Sequence, residues 1–112
     1  MKVVINKSKI DGIIRKYLDD NYYPDYGWSD PEYHKKEFER FDAEHFHIND
    51  QVAYEFTKLR GNHGNQLTVY KFDDLDSYFG NKWEPVFISW FEEHMGLNVD
   101  NFRVLRHEDY NY

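Results

Sequence analysis

Residues 44–56 read Glu-His-Phe-His-Ile-Asn-Asp-Gln-Val-Ala-Tyr-Glu-Phe, and apolar and polar side chains alternate on both sides of the Asn-Asp pair. Such alternation is typical of strands with one buried face, and the polar residues between the two runs predict a β-hairpin. A three-residue loop at 49–51 would pair Phe46 with Tyr54 and give a nearly continuous apolar face, whereas a two-residue loop would pair Phe46 with Ala53. We therefore expect the three-residue loop, although Gln51 is a poor residue for a left-handed conformation.

Helices are predicted on both sides of the hairpin. Ser8 begins a capping box for the first helix, and an apolar stripe follows at helical spacing, formed by Ile10, Ile13, Ile14, Tyr17 and Leu18. Ser29 or Asp30 caps the predicted second helix, whose inner face carries His34, Phe38 and Phe41. Residues 73–79 predict a helical turn, and an Asn81 capping box starts a last helix that ends at Met95, before Gly96.

The remaining segments complete the predicted sheet. Residues 3–5 (Val-Val-Ile) predict a short opening strand, residues 67–72 the third strand of a meander, and residues 101–105 a closing strand. The last helix is apolar over more than half its circumference, so it should lie centrally on the sheet. We expect an α+β fold with a small antiparallel or mixed sheet, a central three-stranded meander and helices packed mainly on one face. With 112 residues, 20% of them aromatic, residues 1–112 are expected to form one domain with a ring-rich core.

The chain is acidic and lacks cysteine. Its 14 basic and 21 acidic residues give a net charge of −7, and residues 61–112, with four basic and nine acidic side chains, carry −5 of it. This field repels phosphate backbones, which argues against direct nucleic-acid binding. The lack of cysteine rules out disulfides and favours a reducing compartment. No run is long and apolar enough for a membrane span or a signal peptide, so we expect a cytoplasmic protein, in the host cytoplasm if it is viral.

The main candidate surface is acidic and aromatic. Between residues 73 and 93, six carboxylates accompany one lysine, and the expected contact residues are Asp73, Asp74, Asp76, Tyr78, Trp83 and Glu84. Carboxylates beside rings can imitate a nucleic-acid backbone and would attract a basic groove on a partner protein. A second ring cluster, in the loop before the second helix, comprises Tyr22, Tyr23, Tyr26 and Trp28. The alternative is that the acids only maintain solubility and that half or more of the loop rings cover the core.

His45 and His47 form the pattern most suggestive of metal chemistry. Alternate strand residues share a face, so two imidazoles about 6.6 Å apart could hold a metal ion, and the expected register brings Glu55 opposite His45. Two histidines and one carboxylate are the ligands of some iron and zinc sites. The alternative, which we favour because no fixed fourth ligand is evident, is a polar outer face with a His–Glu cross-strand pair. We expect no metal and no cofactor.

Two segments resemble a group of small phage-encoded proteins of unknown function. One is the opening strand with its Ser8-capped helix; the other is residues 78–92, Tyr-Phe-Gly-Asn-Lys-Trp-Glu-Pro-Val-Phe-Ile-Ser-Trp-Phe-Glu. Those proteins often open with a short apolar strand and Glu-Ser-Gln leading into a helix. Here residues 7–9 are Lys-Ser-Lys, so only the serine matches. The resemblance implies a viral origin and supplies no active site.

Three functions remain open at this point. The favoured one is a non-enzymatic protein-binding module, in its phage-derived form an inhibitor that occupies the basic, nucleic-acid-binding site of a host or defence protein. The second is a structural, virion or assembly component that contacts itself or another subunit through its aromatic loop, which would make it a homo-oligomer. The third is a metal-dependent enzyme that uses His45, His47 and Glu55, although no motif specifies a substrate.

Overall fold

A computed structural model describes residues 7–25 and 31–105 of the chain. Its elements follow in the order α1 (Lys7–Asn21), α2 (Pro31–Phe41), β1 (Ala43–Ile48), β2 (Gln51–Lys58), β3 (Asn65–Val69), α3 (Asp73–Phe79), a 3-10 turn (Gly80–Lys82), α4 (Trp83–Met95) and β4 (Asn101–Val104). This is the predicted α+β fold, and the order matches the expected one from the first helix onward. None of the helices in these two ranges is long and apolar enough to cross a membrane. The predicted strand at residues 3–5 lies outside the described residues.

The four strands form one mixed sheet in the order β1-β2-β3-β4. Strand β2 is antiparallel to both β1 and β3, and these three strands form the predicted meander, whereas β4 lies parallel to β3. Parallel neighbours need a long crossover connection, and here α3, the 3-10 turn and α4 supply it. Of the two predicted sheet types, the chain adopts the mixed one.

The hairpin between β1 and β2 differs from the expected one at its loop. Only Asn49 and Asp50 form the turn, both at positive φ (53° and 66°), and Ile48 pairs with Gln51. A two-residue turn with two positive φ angles needs residues that tolerate the left-handed region, as Asn and Asp do. The predicted three-residue loop is therefore wrong.

The pairs predicted further from this turn are nevertheless correct. Ala53 is an extra residue in β2, because His47 pairs with Val52 while Phe46 pairs with Tyr54. Such a bulge shifts the register by one residue and returns the apolar side chains of both strands to one face. It thus corrects the register that the two-residue turn would otherwise impose.

The inner face of the sheet packs against α4 through aromatic rings. The buried residues on that face are Phe46, Tyr54, Phe56, Leu67 and Val69. The ring centre of Phe91 in α4 lies 5.3 Å from that of Phe46 and 4.9 Å from that of Phe56. Phe87, one turn earlier, lies 5.2 Å from Tyr54. The last helix is thus central on the sheet, as predicted, and rings of this size bury roughly 150–250 Å² each.

The outer face of the sheet is polar. One row across the four strands consists of His45, Glu55, Thr68 and Arg103. Because the buried rings and this polar row lie on opposite faces, the helices pack on the apolar face, as predicted.

The apolar stripes of the first two helices are narrower than predicted. Ile14 and Leu18 of α1 are fully buried, but Ile13 is 52% exposed. In α2, Phe38 is buried, whereas Phe41 at the helix end is 60% exposed. Spacing identifies the apolar face of a helix, but the neighbouring elements decide how much of that face is covered. The prediction that Phe41 lies on the inner face of the second helix is wrong, and the predicted apolar stripe of the first helix is only partly covered.

The predicted N-terminal caps are also corrected. Helix α1 begins at Lys7, so Ser8 lies inside its first turn. Helix α4 begins at Trp83, directly after the 3-10 turn, and no side chain caps it, so the Asn81 capping box does not form. The candidate caps of α2 at residues 29 and 30 lie outside the described residues.

The C-terminal cap of α4 follows the prediction. Gly96 adopts the left-handed conformation, with a φ of 70°, and its N–H donates to the carbonyl oxygen of Glu92 at 2.8 Å. Glycine is favoured there because it has no β-carbon to oppose a positive φ. Leu97 follows and is partly buried against the core.

Asp25 connects the segment after α1 to the hairpin turn. Its two carboxylate oxygens accept the backbone N–H groups of Asn49 and Asp50, each at 3.0 Å. Its own N–H donates to the carbonyl oxygen of His47 at 2.8 Å. These hydrogen bonds hold the tip of the hairpin against the chain that leaves α1.

Replacing Asp25 with alanine should lower the free energy of unfolding by about 1–2 kcal/mol, because two turn N–H groups lose a charged acceptor. Urea unfolding of the wild type and of Asp25→Ala checks this. The matched control is Glu39→Ala, which removes an exposed carboxylate from α2 and should cost less than about 0.5 kcal/mol. Equal stability of the two variants would contradict the role of Asp25.

Candidate functional site

Asp74 and Asp76, both predicted to face a partner, accept hydrogen bonds inside the molecule. The hydroxyl groups of Tyr17 and Tyr22 each donate to Asp74 at 2.6 Å. The indole N–H of Trp83 donates to Asp76 at 2.8 Å. These bonds join α3 to α1, to the residue after α1 and to α4, so the two carboxylates hold the helices together.

The Asp74 cluster alters the proton affinity of its members. Burial alone would raise the pKa of Asp74, but the two tyrosine hydroxyl groups and the Lys71 ammonium, 3.5 Å away, outweigh it and hold that pKa below its ordinary value. Burial, with the hydrogen bond and charge of Asp74, raises the pKa of Tyr17 and of Tyr22. At neutral pH the cluster holds one charged carboxylate and two neutral hydroxyl donors.

Two of the predicted contact rings lie in the core. Tyr22 and Trp83 are both fully buried, and each packs edge-on against Phe87 with ring centres 5.8 Å apart. The Tyr22 hydroxyl also lies within hydrogen-bond distance of the carbonyl oxygen of Lys71. Neither ring can contact a partner in this fold, and that part of the prediction is wrong. A turn-rich, aromatic sequence does not reveal which of its rings fold back over the core.

Other members of the predicted surface do reach solvent. Asp73 is exposed and Glu84 is partly exposed. Tyr78 is 68% exposed and Tyr23 is 47% exposed. The remaining predicted rings, Tyr26 and Trp28, lie outside the described residues.

The predicted pairing of His45 with Glu55 is confirmed. The Nε2 atom of His45 lies 2.9 Å from one Glu55 oxygen, and the other oxygen accepts the Tyr70 hydroxyl. His47 lies beyond the bulge, opposite Val52, and its buried Nδ1 atom has no hydrogen-bond partner in the described structure. Within residues 7–25 and 31–105, no group of three or more histidine, aspartate or glutamate side chains is placed to hold a metal ion.

A second histidine–glutamate pair lies inside the fold. His34 is 1% exposed, and its Nδ1 atom lies 3.2 Å from an oxygen of Glu44, which joins α2 to β1. The imidazole also packs on Phe46, with ring centres 4.8 Å apart. The helical spacing of His34 predicts its burial, but nothing in the sequence identifies Glu44 as its partner.

A groove between α1 and α3 is the main candidate site, and we call it the α1–α3 groove. Two hollows of about 430 and 240 Å³ share Ile13 and Phe79. The other lining residues are Lys9, Ile10, Gly12, Lys16, Tyr17, Asp20, Tyr78 and Lys82. Because Ile13 and Tyr78 are more than half exposed, the groove presents apolar surface to solvent.

Tyr17 forms the base of the α1–α3 groove. Its ring meets Tyr78 and Phe79 edge-on, with ring centres 5.6 and 5.5 Å apart. Its hydroxyl group donates to Asp74 on the same helix α3. One side chain of α1 thus contacts α3 both through its ring and through a hydrogen bond, which fixes the distance between the two walls.

The rim of the groove is positively charged, although the chain is acidic. Lys9, Lys16 and Lys82 line it, against one carboxylate, Asp20, which accepts a hydrogen bond from Lys16 at 3.3 Å. The lining residues therefore carry a local charge of +2 in a chain of net charge −7. Sequence reasoning missed this rim because Lys82 is remote from the other two lysines along the chain. The available signal was Lys9 and Lys16 at helical spacing beside Ile13.

A further hollow of about 520 Å³ lies at the turn end of the hairpin and includes Tyr70, Lys71 and Asp73 in its lining. The ammonium of Lys71 lies 4.6 Å from the centre of the Tyr22 ring and 3.5 Å from Asp74. The cation of Lys71 is thus already engaged within the fold, and the lining contains no large, exposed apolar side chain such as Ile13 or Tyr78, so this hollow is a weaker candidate than the α1–α3 groove.

Comparison with protein-family models, with curated proteins and with solved structures found no match to this chain. The resemblance to phage proteins and the viral origin that it implies therefore stay predictions.

Replacing Asp74 with asparagine should lower the free energy of unfolding at neutral pH by about 2 kcal/mol, because an amide replaces the charged acceptor of two hydroxyl groups. A lowered carboxyl pKa stabilises the fold above the ordinary value of about 4. That contribution is lost as the pH falls through the lowered pKa. The stability difference between wild type and Asp74→Asn should thus shrink from about pH 5 downward.

Urea unfolding at neutral and acidic pH measures this difference. Asp73→Asn, at an exposed carboxylate on the same helix, is the control and should show a smaller difference than Asp74→Asn at neutral pH. A constant difference for Asp74→Asn, or one equal to that of the control, would show that the cluster does not stabilise the fold.

Proposed function

We propose that this chain is a non-enzymatic protein-binding domain and that its partner docks in the α1–α3 groove. The observation that supports this most is the exposure of two large apolar side chains, Ile13 and Tyr78, in the lining of one hollow. Contiguous exposed apolar surface with a polar rim is typical of sites where another protein binds.

Tyr78 has the properties of an anchor residue for such a contact. Its ring contacts Tyr17 and Phe79, with ring centres 5.6 and 6.2 Å apart, yet most of its surface remains open. Because neighbouring rings already restrict it, a partner would bury it with little loss of side-chain freedom. Tyrosine is also enriched among the residues that dominate binding energy in interfaces.

In the version of this proposal that we call its acidic form, the chain is an inhibitor whose carboxylates fill a basic site on a host or defence protein. Of its predicted carboxylates, Asp74 and Asp76 are partly exposed but engaged with internal donors, Glu84 is partly exposed, and Asp73 is exposed. The net charge of −7 favours a basic partner at long range. If the partner docks in the groove, the contact is instead made mainly by apolar surface. Charge then serves to orient the partner and to speed its encounter with the chain.

Self-association is another way to cover the groove and corresponds to a structural or assembly role. In a two-fold dimer the same patch meets itself, so the positively charged lining of one copy would meet the equally positive lining of the other. Like charges oppose this arrangement, which favours a different protein as the partner.

Retention experiments on the immobilised full-length chain test the proposal. The lysate is that of the encoding organism or, under the viral-origin prediction, of its host. Ile13→Ser and Tyr78→Ala should each lower the amount of a specifically retained protein by about tenfold or more, because each removes apolar contact at an exposed position. Phe41→Ser, at an exposed ring of α2 that does not line the groove, is the matched control and should leave retention unchanged.

Retention that ignores both Ile13→Ser and Tyr78→Ala would rule out groove docking. If the double variant Asp73→Lys, Glu84→Lys abolishes retention while Ile13→Ser and Tyr78→Ala do not, the partner binds the acidic surface and not the groove, and the acidic form of the proposal is correct. Thermal unfolding of every variant separates loss of contact from loss of fold.

A further inference from the structure

We infer that the occupant of the α1–α3 groove is an amphipathic α-helix with acidic residues beside its apolar face, and that it crosses α1 at Gly12. This inference rests on the proposed function and specifies the partner's chemistry. It draws on three separate features of the groove, namely its helical walls, its lysine rim and the open space at Gly12.

The walls of the groove suit a helix. Its lining positions on α1 run from Lys9 to Asp20 at helical spacing, which corresponds to about 16 Å along the axis. The opposite wall is α3, with Tyr78 and Phe79. Neither wall is a strand, so the groove offers no row of unpaired backbone groups to which an extended segment could add. A helical partner satisfies its own backbone and contributes apolar side chains at matching spacing.

The rim favours acidic flanks on that helix. Lys9, Lys16 and Lys82 surround an apolar floor and outnumber the single carboxylate of the lining, Asp20. The bond between Lys16 and Asp20 is solvent-exposed, and exposed pairs of this kind are weak. A carboxylate on the partner can therefore compete for Lys16 at little cost.

Gly12 marks the point of closest approach. It lies inside α1 with a helical backbone, where glycine is less favourable than alanine. A β-carbon at this position would meet no neighbouring group of the described chain within 4 Å. Nothing within the described fold therefore requires glycine there. A partner backbone crossing at this point would require it, because the missing β-carbon lets two helices approach closely.

Four synthetic peptides of about 18 residues test the occupant on the full-length chain, each with leucine and phenylalanine at helical spacing. The positions beside the apolar face are Glu in the first peptide, Gln in the second and Lys in the third. The fourth is the Glu peptide with two central prolines that prevent a helix. Fluorescence anisotropy should give affinities in the order Glu, Gln, Lys, with about tenfold between Glu and Lys at low salt and less at high salt. The proline peptide should bind at least about tenfold more weakly than its parent.

Variants of the chain connect this binding to the groove. Lys16→Glu with Lys82→Glu should reverse the order of the Glu and Lys peptides. Gly12→Ala should raise the melting temperature by about 4 °C and yet weaken the Glu peptide about tenfold, because its methyl group fills the space of closest approach. Asp11→Ala, beside Gly12 but outside the groove lining, should leave the affinity unchanged at high salt, where the loss of its charge is screened.

The outcomes separate the parts of the inference. Equal binding of the Glu and Lys peptides overturns the acidic flanks, equal binding of the proline peptide overturns the helix, and unchanged binding to Gly12→Ala overturns the crossing point. If no peptide binds while retention from lysate still depends on Ile13 and Tyr78, the helical occupant is wrong and groove docking stands. If retention also ignores those two residues, both proposals fail.

Discussion

The position of α1 depends on the hydroxyl group of Tyr54. The ring of this residue is fully buried, stacked on Phe46 at 4.9 Å and edge-on to Phe87 at 5.2 Å. A buried hydroxyl needs a partner, and this one donates to the carbonyl oxygen of Tyr22, directly after α1, at 2.9 Å. Burial raises the pKa of Tyr54 well above its ordinary value, so the donor keeps its proton. Tyr22 in turn donates to Asp74 in α3. The sheet therefore fixes α1 and α3 relative to each other, and this arrangement sets the width of the α1–α3 groove.

Much of the fold could be predicted because its signals are local. The alternation around the hairpin, the apolar circumference of α4 and the glycine after it each lie within a few residues of the structure that they predict. The bulge at Ala53 could not be predicted, because it is needed only once the two-residue turn has set the register. The exposure of Ile13 likewise depends on which neighbouring element covers α1, and spacing along one helix does not contain that information.

The candidate site was less predictable because its contacts join distant parts of the chain. Asp74 and its donor Tyr17 are 57 residues apart. In the sequence Asp74 is one of a row of acids, whereas in the fold it accepts a hydrogen bond within the contact between α1 and α3. Several other acids also accept hydrogen bonds within the fold: Asp19 accepts the Trp90 indole N–H, Glu92 the N–H of Val99 and Asp100 the N–H of Asn65. A net charge does not show which of these carboxylates are engaged within the fold, and it conceals the lysine rim.

Asp25 also affects how the sheet meets other molecules. Strand β1 is an edge strand, since β2 is its one neighbour in the described sheet. Edge strands carry unpaired backbone groups that can template pairing with another chain. Here the carbonyl oxygen of His47 is occupied by the N–H of Asp25, and the N–H of His45 by the side chain of Glu44. A foreign strand would have to displace both contacts before it could extend the sheet, so the residue that holds the hairpin tip also opposes edge-to-edge aggregation.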